Sequence, residues 1–182
     1  MTTLPLSQLD RPLAGADFRT YSTALSHLQG NILKSHGRKT AVHVLLTFHK
    51  TSGEQAKRFL SGLAHNHKLT NAAEQRKQKR RHRHGSSELF TALYPSARGY
   101  EYLGYPQGRF SKEFWKGIRA YRLGDPPPDE WEPHYQCDIH AMLLYAHNHP
   151  GKLDRHIQQV QAELHGIAKV ALERGETINK PK

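Results

Sequence analysis

Four stretches of the chain carry the hydrophobic spacing of β-strands. The clearest is AVHVLLTF at 41–48, where apolar residues fall on every second position and therefore share one face. ELFTALY at 88–94 is short and rich in aromatic and aliphatic residues, while IHAMLLYA at 139–146 is continuously apolar. IAKVALE at 167–173 alternates again. We predict a strand over each stretch.

Two amphipathic helices follow the first and third of these strands. The first is predicted over 53–64, and Ser52 with Gln55 has the spacing of a capping box at its start. Shorter helices are predicted near 96–103 and 111–119. The apolar stripes of the two longer helices consist of Ala56, Phe59, Leu60 and Leu63 in the first, and Leu153, Ile157, Val160 and Leu164 in the second.

The order strand, helix, strand, insertion, strand, helix, strand is the split βαβ pattern of a ferredoxin-like sandwich. We therefore predict an α+β fold, in which a four-stranded antiparallel sheet carries helices on one face, as in the dimeric α/β-barrel type. The predicted organisation is an N-terminal arm (1–27), a ferredoxin-like domain (28–175) and a polar tail or truncated linker (176–182).

Two glycines punctuate LQGNILKSHGR at 28–38, directly before the first strand. Gly30 and Gly37 indicate a backbone that must turn or pass close to another group before it enters the fold. Glycine marks turns more often than ligand sites. We favour a shaped entry loop over a ligand-binding loop.

The net charge of +11 is concentrated in one segment, KLTNAAEQRKQKRRHRH at 68–84. This segment holds seven Lys or Arg residues against one acid, Glu74, and contains no aromatic residue that could stack on a base. Blocks of like charge usually face water. We favour a charged helix extension or a mobile loop over salt-dependent binding of nucleic acid.

The length of 182 residues suits one domain, and Cys137 is the sole cysteine, which excludes an internal disulfide and a Cys-x-x-Cys metal site. No segment approaches the roughly 20 apolar residues needed to cross a bilayer, and no signal peptide opens the chain. We expect a cytoplasmic protein without a membrane contact.

Fourteen histidines raise the question of a metal site. Three pairs are spaced by two, which in a strand would place both rings on one face. Carboxylate or thiolate ligands at fixed offsets are missing from the sequence around them, so we expect no metal site. The pairs are His65 and His67, His82 and His84, and His147 and His149.

Asp138 and His140 flank Ile139 and are expected to lie on the strand face opposite Ile139. They could form a structural polar pair or half of an acid and base set. No nucleophile stands in a recognisable frame such as Gly-x-Ser-x-Gly, so we favour the structural pair.

LQGNILKSHGR followed by AVHVLLTF resembles the start of the dye-decolorizing peroxidase family. Further stretches resemble the family in the same order: TNAAEQ at 70–75, LGDPPPDEWEP at 123–133 and IHAMLLYAHNHPGKLD at 139–154. The resemblance extends from about residue 27 to residue 175. In LGDPPPDEWEP, the three prolines favour an extended path and Trp131 is expected to plug the loop onto the core, although a contact with a further domain is the alternative.

The resemblance implies two ferredoxin-like domains, a haem b cofactor and oxidation of dyes or phenols by hydrogen peroxide. In the family, the distal Asp lies in a Gly-x-x-Asp-Gly motif after the first domain, and the proximal His and distal Arg lie in the second. This sequence contains no Gly-x-x-Asp-Gly, and it ends near the point where the motif is expected. We therefore assign no catalytic, cofactor-binding or metal residue here.

On this interpretation the chain alone is expected to be inactive and not to bind haem. Its expected partner is a C-terminal peroxidase half or a second copy of itself. The alternative function is a non-catalytic ferredoxin-like interaction module that dimerises or pairs with a separate C-terminal half.

Overall fold

The fold is built on one antiparallel sheet with the strand order β2-β3-β1-β4. The computed structural model describes residues 17–66, 68–81, 88–117 and 124–177. Strands β1 and β3 lie at the centre of the sheet, as a ferredoxin-like sandwich requires, which confirms the predicted fold class. The strands are β1 (Thr40–Phe48), β2 (Phe90–Pro95), β3 (Ala141–His147) and β4 (Ala168–Glu176).

Seven α-helices accompany the sheet in the described part of the chain. The first long helix and the short helix after β2 lie within one residue of their predicted ends, and the second long helix is present with its apolar stripe. The helix predicted near 111–119 is shorter than predicted: it spans Lys112–Lys116 and ends at Gly117, whose φ of 69° is left-handed, while residues 118–119 lie outside the described ranges. The helices are α1 (Asp17–Thr20), α2 (Ser22–His27), α3 (Gly53–His65), α4 (Ala72–Arg81), α5 (Ala97–Tyr102), α6 (Lys112–Lys116) and α7 (Pro150–Glu163).

The main core lies between the sheet and the long helices α3 and α7. The register pairs Val44 of β1 with Leu143 of β3 and with Leu172 of β4, so alternate side chains of all three strands meet on one face. Burying a large apolar side chain stabilises the fold by roughly 1.5–3 kcal/mol. The buried members from the helices include Leu60, Leu63, Leu153, Ile157 and Val160.

The opposite face of the sheet carries a smaller cluster and is contacted by two loops. Phe90 and Leu144 are buried in this cluster with alanines around them. The entry loop (28–38) places the His36 ring 5.5 Å from the Phe90 ring. The proline-rich loop (124–140) places Ile139 beside Leu45. This face therefore depends on irregular backbone for its cover.

The predicted capping box at α3 is wrong. Ser52 stands at the N-cap, but its side chain makes no capping hydrogen bond there. Its hydroxyl instead donates to the carbonyl oxygen of Gly166 at 3.2 Å, in the turn before β4. Side-chain caps occur at α5 and α6, where the hydroxyls of Ser96 and Ser111 accept from backbone N–H groups.

The basic segment forms helix α4 over much of its length, and it is more firmly anchored than a charged extension. Gln75 and Gln78 are buried. Before the helix, the N–H of Thr70 donates to the carbonyl oxygen of Thr91 at 2.9 Å, and the Thr91 N–H donates back to the Thr70 hydroxyl at 3.1 Å. The segment thus closes part of the outer edge of β2. Residues 82–84 lie outside the described ranges.

Helix α5 packs so closely on the start of β3 that its Gly99 cannot carry a side chain. A Cβ atom there would lie 1.8 Å from the carbonyl oxygen of His140, which is backbone and cannot move away alone. We predict that Gly99→Ala lowers the free energy of unfolding by about 3 kcal/mol or more, measured by denaturant titration.

Gly62 in the middle of α3 provides the matched control, because the nearest atom to its added Cβ is 3.9 Å away. Gly62→Ala should raise the free energy of unfolding by about 0.5–1 kcal/mol through helix propensity. Equal effects of the two substitutions would contradict the close packing of α5.

Candidate functional site

The entry loop combines a constrained backbone with exposed apolar side chains. Gly30 is buried, and a Cβ atom on it would lie 2.8 Å from the Phe90 ring and 2.9 Å from the Thr70 carbonyl oxygen. Asn31 and Gly37 have φ angles of 67° and 66°. One glycine permits a close approach and the other a left-handed turn, so the predicted shaped loop is confirmed.

Gln75 of α4 holds the entry loop through three hydrogen bonds. Its Oε1 accepts from the Asn31 N–H at 3.0 Å. Its Nε2 donates to the carbonyl oxygens of Lys34 and Ser35 at 3.0 and 2.9 Å. These three backbone groups do not belong to a helix or a strand ladder. The buried Gln75 amide, which can both donate and accept, supplies their hydrogen-bond partners instead.

A buried arginine anchors the end of the same loop. Arg38 donates through Nη2 to Oε1 of Gln78 and through Nη1 to the His36 carbonyl oxygen at 2.6 Å. Its guanidinium carbon lies 5.7 Å from the centre of the Phe90 ring. Burial lowers the pKa of Arg38, opposed by the nearby Glu88, yet a guanidinium stays charged in proteins. The loop end therefore carries a fixed, hydrogen-bonded cation.

Ile32 and Leu33 project from this constrained loop into solvent, with 57% and 49% of their surfaces exposed. The Asn31 side chain fixes the turn that precedes them: its Nδ2 donates to the Tyr94 hydroxyl at 3.3 Å, and its Oδ1 accepts from the His36 N–H at 3.0 Å. A fixed backbone that exposes neighbouring apolar side chains is suited to docking, because little order must be gained on binding.

The proline-rich loop is tied to the far side of the sheet by different contacts. Nε2 of His134 lies 2.8 Å from a carboxylate oxygen of Glu173 on β4. Cys137 and Ile139 line a cavity of about 10 Å³ with Leu45, so this cavity is too small for an organic ligand. Trp131 donates from Nε1 to the carbonyl oxygen of Pro126 at 2.8 Å, which closes the loop on itself. Its predicted packing on the core stays a prediction.

Asp138 and His140 do not lie on a strand, because β3 begins at Ala141. Nδ1 of His140 accepts from the Phe48 N–H at 2.8 Å, and its ring stacks on Tyr102 with centroids 4.7 Å apart. Burial lowers the pKa of His140, against an opposing effect of Asp138. Asp138 lies 4.0 Å from Arg98. These separate partners give both residues a structural role.

The described histidines do not assemble a metal centre. Within the described ranges no group of three His, Cys, Asp or Glu side chains converges. Nδ1 of His147 accepts from the backbone N–H of His149 at 2.8 Å, so this pair does not chelate. His67, His82 and His84 lie outside the described ranges.

These contacts also argue against an iron ligand among three buried or half-buried histidines. A ring that accepts a hydrogen bond at Nδ1 carries its proton on Nε2 when it is neutral, which leaves neither nitrogen to donate a lone pair to iron. His36, His140 and His147 all accept at Nδ1 from a backbone N–H. None of the three fits a haem group in this arrangement.

Comparison with known proteins relates this chain to the DyP-type peroxidases. No family model matches the sequence. The multifunctional dye peroxidase DyP2 from Amycolatopsis sp. is 32% identical in an alignment of 156 positions that covers 78% of this chain and 30% of DyP2. The crystal structure of a DyP-type peroxidase from Anabaena sp. superposes with a TM-score of 0.89 at 29% identity and covers 98% of this chain. The chain is related to the DyP-type peroxidases.

This relationship covers most of the chain but a minor part of the relatives. The chain spans 41% of the Anabaena peroxidase and 34% of the DyP2 structure, to which it superposes with a TM-score of 0.77. The peroxidase of Auricularia auricula-judae, at 13% identity, shares the fold with a TM-score of 0.66. The chain therefore matches a domain-sized part of a DyP-type peroxidase. In the described ranges, no helix is long and apolar enough to cross a bilayer.

The Gln75 contacts predict a measurable dependence of the entry loop on one side chain. Gln75→Ala removes three hydrogen bonds and should lower the free energy of unfolding by about 2 kcal/mol, because backbone groups near a buried site lose their partners. Denaturant titration measures this change. Gln55→Ala, on the exposed side of α3, is the control and should change it by less than about 0.5 kcal/mol. Equal losses would show that Gln75 does not hold the loop.

Proposed function

We propose that this chain is the first ferredoxin-like domain of a DyP-type peroxidase, an enzyme that oxidises dyes and phenols with hydrogen peroxide and haem. The proposal rests on the relationship to DyP2 and the Anabaena peroxidase, of which the chain spans 30% and 41%. The chain alone is inactive on this proposal. On this proposal its domain comprises residues 28–175, with an N-terminal arm over 1–27 and a tail or truncated linker over 176–182.

The role of this domain is to dock a second domain that carries the haem. The observation that carries this role is the exposure of Ile32 and Leu33 on a loop whose backbone Gln75 and Arg38 hold in place. Neighbouring exposed apolar side chains lower the free energy of association when a partner covers them. The hydrogen-bonded histidines described above support the assignment of the haem ligand to the partner domain.

The alternative function is a non-catalytic interaction module that dimerises or pairs with a separate C-terminal half. One observation favours dimerisation: among the described residues, β4 pairs only with β1, so its outer edge is open over Ala168–Glu176. Open strand edges can pair with another chain. With a single cysteine in the sequence, a cytoplasmic location remains our proposal for either function.

A hemin titration tests the peroxidase-domain proposal. The purified chain should show weak, unsaturable binding, without the Soret band of a ligated iron and without peroxidase activity. Adding the remaining C-terminal portion of DyP2 as a separate chain should give saturable hemin binding and peroxide-dependent dye oxidation. Size-exclusion chromatography in parallel reports whether the two chains associate.

A double substitution, Ile32→Ser with Leu33→Ser, assigns any association to the entry loop. It should weaken association of the two chains by about tenfold or more, since both side chains would lose apolar burial. Tyr105→Ser is the control, because Tyr105 is similarly exposed, at 41%, and lies outside the loop. Saturable one-to-one hemin binding with activity in the chain alone would contradict the proposal, and concentration-dependent dimers without hemin binding would favour the alternative.

A further inference from the structure

A basic groove lies beside helix α7, and no entry-loop residue is among its described lining residues. It has a volume of about 310 Å³ and is open to solvent. It runs between Leu89, which directly precedes β2, and one side of α7. Its lining residues are Leu89, His147, Lys152, Arg155, His156 and Gln159.

Four of the lining residues come from one face of α7. Lys152, Arg155, His156 and Gln159 are spaced by three, one and three positions, which is the spacing that aligns side chains along a helix. The groove is thus a regular feature of a well-packed helix rather than a property of a loop. Because α7 is anchored in the core through Leu153 and Ile157, these four side chains project from a fixed backbone.

The charge of the groove is uncompensated among its lining residues. Lys152 and Arg155 are exposed, and neither forms an ion pair with a described residue. The neighbouring carboxylate of Asp154 is engaged elsewhere, because it accepts from Arg174 at 2.7 Å. No carboxylate lines the groove in the described ranges. Two cations one helical turn apart therefore face the same space.

Two further lining residues, His156 and Gln159, add uncharged N–H donors. His147 lies buried beside them, and its Nδ1 accepts from the His149 N–H. His156 is half-buried and packs edge-on against Tyr145 with ring centroids 4.7 Å apart. Burial lowers the pKa of His156, so its ring is neutral at pH 7 and offers one N–H. Gln159 offers an amide NH₂ group.

We propose that this groove binds a small phosphate-bearing anion. A guanidinium and an ammonium with neutral N–H donors between them suit the several oxygens of a phosphate or polyphosphate group. Among the described residues that line the groove there is no Phe, Tyr or Trp that could stack on a nucleobase, which favours a small anion over a nucleic acid. The site does not involve the entry loop, so it is independent of the peroxidase-domain proposal.

The test is a calorimetric titration of the chain with inorganic tripolyphosphate. Saturable one-to-one binding is expected, and the double variant Lys152→Gln with Arg155→Gln should weaken it by about tenfold or more. Glutamine is a good helix former, so α7 should be retained, and circular dichroism checks this. The control is Arg80→Gln with Arg81→Gln on α4, which removes the same charge from an exposed surface and should change the affinity by less than about twofold.

Two results would overturn the proposal. Equal losses in the α7 and α4 variants would mean that tripolyphosphate responds to net charge alone. Absence of saturable binding below about 1 mM would mean that the groove is no anion site. A short single-stranded RNA is titrated in parallel. If RNA binds more tightly than tripolyphosphate, and the α4 variant rather than the α7 variant loses that binding, phosphate groups bind at the basic helix α4. That result would also overturn the assignment.

Discussion

The second face of the sheet is the constraint on which the rest of this structure depends. Helices α3 and α7 cover the first face with apolar side chains, and their own backbone groups are paired internally. The second face is contacted by loops, and apart from the bridge between Gln29 and Asn71 most of their backbone N–H and C=O groups belong to no helix or strand ladder. Polar side chains supply the partners: Gln75 for the entry loop, and Gln136 for the carbonyl oxygens of Asp129 and Trp131 in the proline-rich loop. A hydrogen bond adds only about 0.5–1.5 kcal/mol net, but an unpaired buried group costs about 1–3 kcal/mol.

This constraint links the fold to the proposed function. The contacts that satisfy the entry loop also fix its conformation, and that conformation turns Ile32 and Leu33 outward. The chain matches a minor part of its DyP-type relatives, which supports the proposal that it works beside another domain. A preformed surface favours such docking, and Ile32 and Leu33 provide one. On the proposed function, the buried residues Gln75 and Arg38 contribute to docking by holding the loop backbone, although neither side chain is exposed.

Elements set by local hydrophobic spacing could be predicted from the sequence. Hydrogen bonds between residues far apart in the chain could not. Alternation over 41–48 and the helical stripe around Leu60 are local signals, and both elements are present. Gln75 sits among lysines and arginines, so its segment was predicted to be solvated, whereas its partners Lys34 and Ser35 lie 41 and 40 residues away in the chain. The TNAAEQ stretch offered a signal, because its resemblance to the peroxidase family included this glutamine. The hydroxyl of Ser52 was likewise misassigned, since its partner lies 114 residues further on.

Native-state hydrogen exchange of the intact chain reports whether the entry loop is preformed without a partner. The N–H groups of Asn31 and His36 lie outside helices and strands. They donate to the side-chain oxygens of Gln75 and Asn31, respectively. We predict that both exchange slowly, with opening free energies of at least about 2 kcal/mol, well above a fraying terminus. Exchange of both amides at the rate of an unstructured peptide would show that the loop is not held in the absence of a partner, and would contradict the account.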